Sequence, residues 1–400
     1  MNKSTHFSGQ PTFTQLVKLL PRDIVNRCAR SHKSDRYYKR FDTFHHLVTM
    51  LFNCLGHCHS LRECVTGMAA LEGRLLTCGI TNIPTRSTFA DANAKRSSEV
   101  FADIYFALKD YWDRIYPDSR KRRKNRTFII DSTTIKLFQE IFKGAGMSKD
   151  NGKRKGGLKV HMAVQEHQTV PSIIYLSQAA SNDGTFSPHL HLPNESTLIM
   201  DGGYRNYSQF NQWTKQRVRW VTRLHPYTSY DSVECRIINA KQRKAGVTVD
   251  HTIIMGAALS KAEKVTCRLI KFTSPTNGKK LEFITNDFKS TASYVCDLYK
   301  KRWKIEMLFK RLKQNMPLHY FLGDNQNAIK IQVWCSLIAD LLLNIVKRQV
   351  KRPWSFSNIV NLVRLHLFNY LDLFSFLEHP DKSIVRTTPV DLQLRLSLSG

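Results

Sequence analysis

Tyr299, Arg302, Glu306 and Lys313 lie in the stretch YKKRWKIEMLFKRLK, where one carboxylate is set among many cations. A phenol, a guanidinium, a carboxylate and an ammonium at these intervals are groups that handle phosphate and hard metal ions. At ~100° per residue the four fall within about 60° of one another on a helix, and Ile305, Leu308, Phe309 and Leu312 fill a neighbouring arc. The polar stripe therefore borders a buried face. Taken alone, Arg302 and Glu306 at i and i+4 make an ordinary surface ion pair worth ~0.3 to 0.5 kcal/mol.

Two further acids change that reading. Asp131 ends the apolar run Phe128-Ile129-Ile130, with Thr133 on the same side of the strand, and Asp201 ends Leu198-Ile199-Met200 ahead of Gly202-Gly203. An acid at a strand end is common turn chemistry. It is also costly inside a strand unless paired or bound to metal, and the two glycines let backbone approach a ligand closely. Acids on two strands and a helix suit two Mg²⁺ or Mn²⁺ ions ~3.5 to 4 Å apart, one to activate water or a 3′ hydroxyl and one to stabilise the leaving oxygen. Arg302 and Lys313 would hold phosphate oxygens, and Tyr299 and Trp303 offer flat faces for base stacking.

The whole chain is suited to a polyanion. It carries 61 Lys and Arg against 32 Asp and Glu, a net charge of +29 over 400 residues. Acidic lipid is the competing partner, but the opening MNKSTHFSGQPTF lacks the apolar core of a signal peptide. The apolar run Val333 to Val346 is interrupted by Asp340 and Asn344 and is shorter than the ~20 residues of a membrane span. The expectation is a soluble, cytoplasmic, nucleic-acid-binding protein with no membrane partner. Nine cysteines, an odd number, point to reduced thiols. Cys54, His57, Cys58, His59 and Cys64 cluster, but helical spacing among Leu51, Phe52 and Leu55 favours buried small side chains over zinc.

Periodicity divides the elements that must position these groups. Helical spacing dominates residues 1–118, with candidates at Phe13–Leu20, Arg22–Arg30, Phe44–Leu55, Ser60–Cys78 and Ser87–Tyr116. Within the last, Asn93, Lys95 and Arg96 form either a recognition face for a DNA groove or a solvated face. The basic run Arg120 to Arg126 marks a boundary, as a linker or a phosphate grip. Strands follow at Thr127–Leu137, Leu158–Gln165, Val170–Ser177 and Ser196–Met200, a weak helix at Pro188–Leu192, then a helix at Tyr207–Arg217 and a strand at Arg219–Leu224. Tyr230 to Phe288 reads as strand throughout, at Val233–Asn239, Val247–Met255, Val265–Phe272 and Lys280–Asn286. One helix from about Thr291 to Met316 then carries Glu306, and Ala328–Val350 and Phe356–Phe376 are helical. The segment Gly144 to Gly157 reads as a loop near the acids or a plain hairpin tip.

These motifs together resemble the DDE transposases of the insertion-sequence-four family. Tyr299, Arg302, Glu306 and Lys313 match its Tyr, Arg, Glu, Lys signature without a gap, and Asp131-Ser132-Thr133 and Asp201-Gly202-Gly203-Tyr204 resemble the regions of its first two acids. The resemblance implies an α/β fold: an RNase H-like core interrupted by an all-β insertion, with helical terminal regions. In these terms residues 1–118 are a DNA-binding domain, 119–229 and 289–325 the two parts of the core, 230–288 the insertion, and 326–400 a helical region that either dimerises or completes the core. It implies Asp131, Asp201 and Glu306 as catalytic metal ligands for two Mg²⁺ or Mn²⁺ ions, with Tyr299, Arg302, Trp303 and Lys313 contacting DNA near the cleaved end. It also implies cut-and-paste excision at terminal inverted repeats, strand transfer into target DNA, and a homodimer in the paired-end complex. In the family the Trp after the Arg assists a flipped base during hairpin formation; no second Trp lies between Arg223 and Tyr299 to capture it. The alternatives are an inactive, transposase-derived repressor and a plain nuclease without end specificity.

Overall fold

The computed structural model of the chain describes residues 8–71, 73–117, 126–136, 157–256 and 264–380. All of the basic run but Arg126, and all of the loop candidate before Gly157, lie outside the described residues. The first helices are α1 (Thr12–Val17), α2 (Arg22–Ser31), α3 (Thr43–Gly56), α4 (Leu61–Ala69), α5 (Arg86–Lys95) and α6 (Glu99–Ile115). Two of the expected helices are broken. Leu61–Ala69 stops well short of Cys78, which lies in a separate 3₁₀ turn, Leu75–Cys78. The Ser87–Tyr116 run breaks where Arg96 leaves the helix in an extended conformation.

That break has a cause, and it corrects the recognition-helix reading. Arg96 is 2 % exposed: its guanidinium donates to His46 Nδ1 at 2.9 Å, Phe41 O at 2.9 Å and Asp35 Oδ1 at 3.2 Å. Asn93 is as buried, its Oδ1 lying 2.8 Å from His46 Nε2. Burial, then the Arg96 charge, pushes His46 down to about 3, so the neutral ring accepts from Arg96 and donates to Asn93. Asn93 and Arg96 thus tie α5 to α3 from inside. Of the three residues only Lys95 faces solvent, beside Asp91.

Strands β1 (Thr127–Lys136), β2 (Gly157–Gln165), β3 (Ile173–Gln178), β4 (Thr197–Ile199) and β5 (Arg219–Arg223) come next, with α7 (Tyr207–Lys215) between the last two. The weak Pro188–Leu192 helix does not form: Pro188 and His189 end the 3₁₀ turn Asp183–His189, and residues 190–192 are irregular. Then follow β6 (Tyr230–Cys235), α8 (Ala240–Lys244), β7 (Val247–Met255), β8 (Val265–Thr273) and β9 (Lys280–Thr285). The order across the sheet is β3-β2-β1-β4-β5-β9-β8-β7-β6. β4 is parallel to β1 and β5, and the other pairs are antiparallel. The chain is therefore mixed α/β with one large sheet. One feature of residues 230–288 differs from expectation. The segment is not all strand, because Asn239 and Gln242 close a capping box that starts α8. Its strands extend the main sheet, β9 pairing directly with β5.

The last helices are α9 (Ala292–Lys300), α10 (Trp303–Asn315), α11 (Gln326–Gln349), α12 (Phe356–Leu365) and α13 (Leu373–Glu378). A single helix over Thr291–Met316 was expected, as was one over Phe356–Phe376, and each is two. α11 is long and apolar enough to cross a membrane by composition, with a mean hydropathy of 1.7, yet 94 % of that stretch is buried inside the chain. Its apolar residues face α3, α5, α6 and α12, which is how an all-round apolar helix is used in a core. The N-terminal helices, α11 and α12 share one apolar cluster, and a second, with Phe210, Trp213, Trp220 and Ile130, lies between α7 and the sheet.

Candidate active site

Asp131 sits midway along β1, a strand paired with β2 along its whole length and with β4 over Thr127–Ile129; Phe128, Ile129 and Ile130 before it are buried. Asp201 comes just after β4, in the parallel neighbour, where it opens the 3₁₀ turn Gly202–Tyr204. The β1–β4 register, Ile129 beside Ile199, thus sets Asp131 and Asp201 next to each other where β4 ends and β1 continues. The third comes from α10, whose buried Ile305, Leu308, Phe309 and Leu312 hold Glu306 to the sheet side. The orientation of α9 and α10 is fixed in turn from β8: Arg268, 2 % exposed, grips Asp250 and donates to the carbonyls of Asp287 and Ser290 just before α9.

The helix break at Lys301 and Arg302 is a feature of the site. Arg302 N–H bonds to the carbonyl of Tyr299 and Ile305 N–H to that of Arg302, three-residue steps that tighten the chain between α9 and α10. Arg302 Nη1 donates to Asp131 Oδ2 at 2.8 Å, and its Nη2 donates to Glu306 Oε1. The Tyr299 hydroxyl donates to Asp201 Oδ1 at 3.2 Å. Two residues of the signature therefore meet all three acids.

Electrostatics agree with that convergence. Burial first, then the charges of Asp201 and Glu306, raise Asp131 to about 6 against the pull of the Ser132 N–H and Arg302. Burial and the Asp201 charge raise the Tyr299 phenol, so it stays protonated and able to donate. Arg302 is raised despite burial, by Tyr299, Asp131, Asp201 and Glu306 around it.

Trp303 and Lys313 are not drawn into this knot. Trp303 is 63 % exposed and opens onto a cleft of about 630 Å³ shared with Gln168, Met307 and Phe356. Lys313 lies toward the end of β1; burial and the charge of Lys136 lower its affinity for a proton. Among the described residues no three His, Cys, Asp or Glu side chains stand close enough to enclose an ion. The cation now bridging Asp131 and Glu306 is Arg302. The donor set nevertheless fits a hard divalent ion: three carboxylates, one of them destabilised by burial and by its two neighbours. The Cys54 to Cys64 cluster is occupied by packing, with Cys54 Sγ 3.6 Å from Ser336 Oγ and Cys64 donating to Thr49 O. Sequence reasoning passed over Asp183, Lys159 and His161 beside Ser132; two polar residues at alternate positions of the apolar strand GLKVHMAVQ were the available signal.

Residues 122–342, more than half the chain, match the family described as transposase DDE domain, and residues 8–81 match a domain of unknown function, DUF4372. The chain is 29% identical over 72% of its length to y4zB of Sinorhizobium fredii, a transposase by name, of which it covers 79%. It is 24% identical over 64% of its length to a protein of Geobacillus stearothermophilus named for transposition of the insertion sequence element IS5377, covering 67% of it. A Synechocystis protein named for transposition of IS4SA is 23% identical over 65% of this chain and 71% of its own. The chain belongs to the transposase DDE domain family and is an insertion-sequence transposase, a metal-dependent enzyme that cuts and joins DNA.

Proposed function

We propose that Asp131, Asp201 and Glu306 are the catalytic acids of this transposase and the ligands of two Mg²⁺ or Mn²⁺ ions. The observation that carries the proposal is the joining of Asp131 and Glu306 through one guanidinium while Tyr299 holds Asp201. Divalent ions bound there would supply Lewis-acid stabilisation of phosphoryl oxygens and a more acidic attacking water. The chain's own groups orient the acids: Arg302 sets Asp131 and Glu306 against each other, and the Tyr299 phenol fixes one oxygen of Asp201. Arg302 and Lys313 would grip phosphates near the cleaved end, and the exposed Trp303 would stack a base.

The substrates in this reading are double-stranded terminal inverted repeats and target DNA, bound by a chain of net charge +29 and paired as a homodimer during strand transfer. Strands β1–β5 with their helices would form an RNase H-like core, with residues 230–288 as the insertion, 1–118 as the DNA-binding region and 326–400 as the C-terminal region. Support for that core comes from the switch between antiparallel β1–β2–β3 and parallel β1–β4–β5, with the two acids on neighbouring strands β1 and β4 at matching register. The test is metal-dependent nicking of labelled end DNA, followed by joining to a plasmid. Asp131→Asn, Asp201→Asn and Glu306→Gln should each abolish nicking, and activity surviving in any one removes that residue from the triad. Binding without nicking by the parent protein would identify the inactive repressor, and nicking without end specificity a plain nuclease.

A further inference from the structure

A second polar cluster lies directly beside the two strand acids. Asp183, at the start of the 3₁₀ turn Asp183–His189, accepts a hydrogen bond from Ser132 Oγ at 2.7 Å, and Lys159 Nζ lies 3.2 Å from the same oxygen. Lys159 is held there by donating also to Ser181 O at 2.7 Å. His161, fully buried, faces Ser132 across the β1–β2 pairing; its Nδ1 is 3.9 Å from Asp183 and 3.3 Å from the Tyr204 hydroxyl. On the other side Asp183 presses on the turn that Asp201 opens. A Cβ added to Gly203 would stand 3.0 Å from Asp183 Oδ2, so a larger residue there would push the carboxylate back by a few tenths of an ångström.

One side chain therefore touches both the residue that follows Asp131 and the turn that follows Asp201. An amide at this position would satisfy the Ser132 hydroxyl as well, so that hydrogen bond alone does not call for a carboxylate. What the carboxylate adds is a fixed partner for Lys159 and a rigid link between two strand ends whose acids must keep a common geometry. We infer that Asp183 is a positioning residue for Asp131 and Asp201, acting through the Ser132 hydroxyl and the Gly202–Tyr204 turn. The inference rests on the proposed role of those two acids as metal ligands. Groups that orient ligands in this way are worth about 10- to 100-fold in metal affinity.

The test is Mn²⁺ binding by the full chain, read from the paramagnetic resonance signal of free Mn²⁺ without DNA. Asp183→Ala should weaken binding about 10- to 100-fold. Asp183→Asn keeps an oxygen acceptor for Ser132 but loses the charged partner of Lys159, so it should restore only part of the loss, a graded rescue that a general packing defect would not show. Ser132→Ala should weaken binding too, and add nothing to Asp183→Ala. Wild-type affinity in Asp183→Ala, or additive losses from the two sites, would overturn the inference. If Asp183→Ala does not fold, Ser132→Ala decides alone, and unchanged affinity there overturns it. Asp131→Asn separates this idea from the one beneath it. Unchanged Mn²⁺ binding in that variant sinks both, whereas binding lost there but kept in the Asp183 and Ser132 variants sinks only the positioning role.

Discussion

Asp131→Asn should make the metal-free protein more stable while abolishing its chemistry. The carboxyl rises from an ordinary 3.8 to about 6, chiefly by burial, with Asp201 and Glu306 adding to the effect. Its side chain is 18% exposed, so solvent screens it little. Because the folded value lies above the unfolded one, the folded chain binds the additional proton between 3.8 and about 6, and stability falls as pH rises through that window. Above it the full cost persists, roughly 3 kcal/mol at about 1.4 kcal/mol per pH unit. The amide removes the charge and keeps the shape, but Arg302 loses one of its two carboxylate partners. The net gain expected in urea unfolding at neutral pH with a chelator is therefore about 1 to 3 kcal/mol. Mn²⁺ should reverse the order, since an ion bound only by the folded parent adds about 4.1 kcal/mol at a thousandfold excess over its Kd. A variant less stable than the parent in chelator, or equally stabilised by Mn²⁺, would refute the reasoning.

Three further outcomes follow from particular contacts. Arg311 donates to Asp340 at 2.7 Å where Asp340 is 2% exposed, so Arg311→Met should cost roughly 3 to 5 kcal/mol in urea by stranding a buried charge; adding Asp340→Asn should recover most of it, and a double variant as unstable as the single would count against the pair. Lys313→Ala should weaken end binding and flatten the dependence of log affinity on log salt by about one; an unchanged slope takes Lys313 out of the DNA interface. Gly246, between α8 and β7, has φ +104° and a Cβ there would lie 2.2 Å from Thr273 O at the end of β8, so Gly246→Ala should cost about 1 to 3 kcal/mol; an unshifted melting temperature would show that the junction of α8 and β7 relaxes freely.

How much of this was legible in the chain depends on the range of each interaction. The strands bearing Asp131 and Asp201 were readable because a short apolar run stopping at an acid is a local signal. So were β7, β8 and β9, and the buried arc of α10. The pairing of β9 with β5 was not, because a strand's sequence records its burial but not its neighbour. Asn93 and Arg96 misled for the opposite reason: polar side chains on a helix default to solvent, and only His46, Asp35 and Phe41 from elsewhere in the chain make their burial tolerable.

The signature itself shows where periodicity ran out. Treating Tyr299 to Lys313 as one helix put four polar groups on a single stripe, but the chain tightens at Arg302, and the stripe divides. Tyr299 turns to Asp201 from α9, Arg302 reaches Asp131 from the break, Glu306 meets that guanidinium from the first turn of α10, and Lys313, about two turns further along the same helix, lies beside Lys136 instead. The break lets two adjacent signature residues serve acids on two different strands, and the carboxylates to which they answer lie far away in the sequence, where no local pattern could have named them.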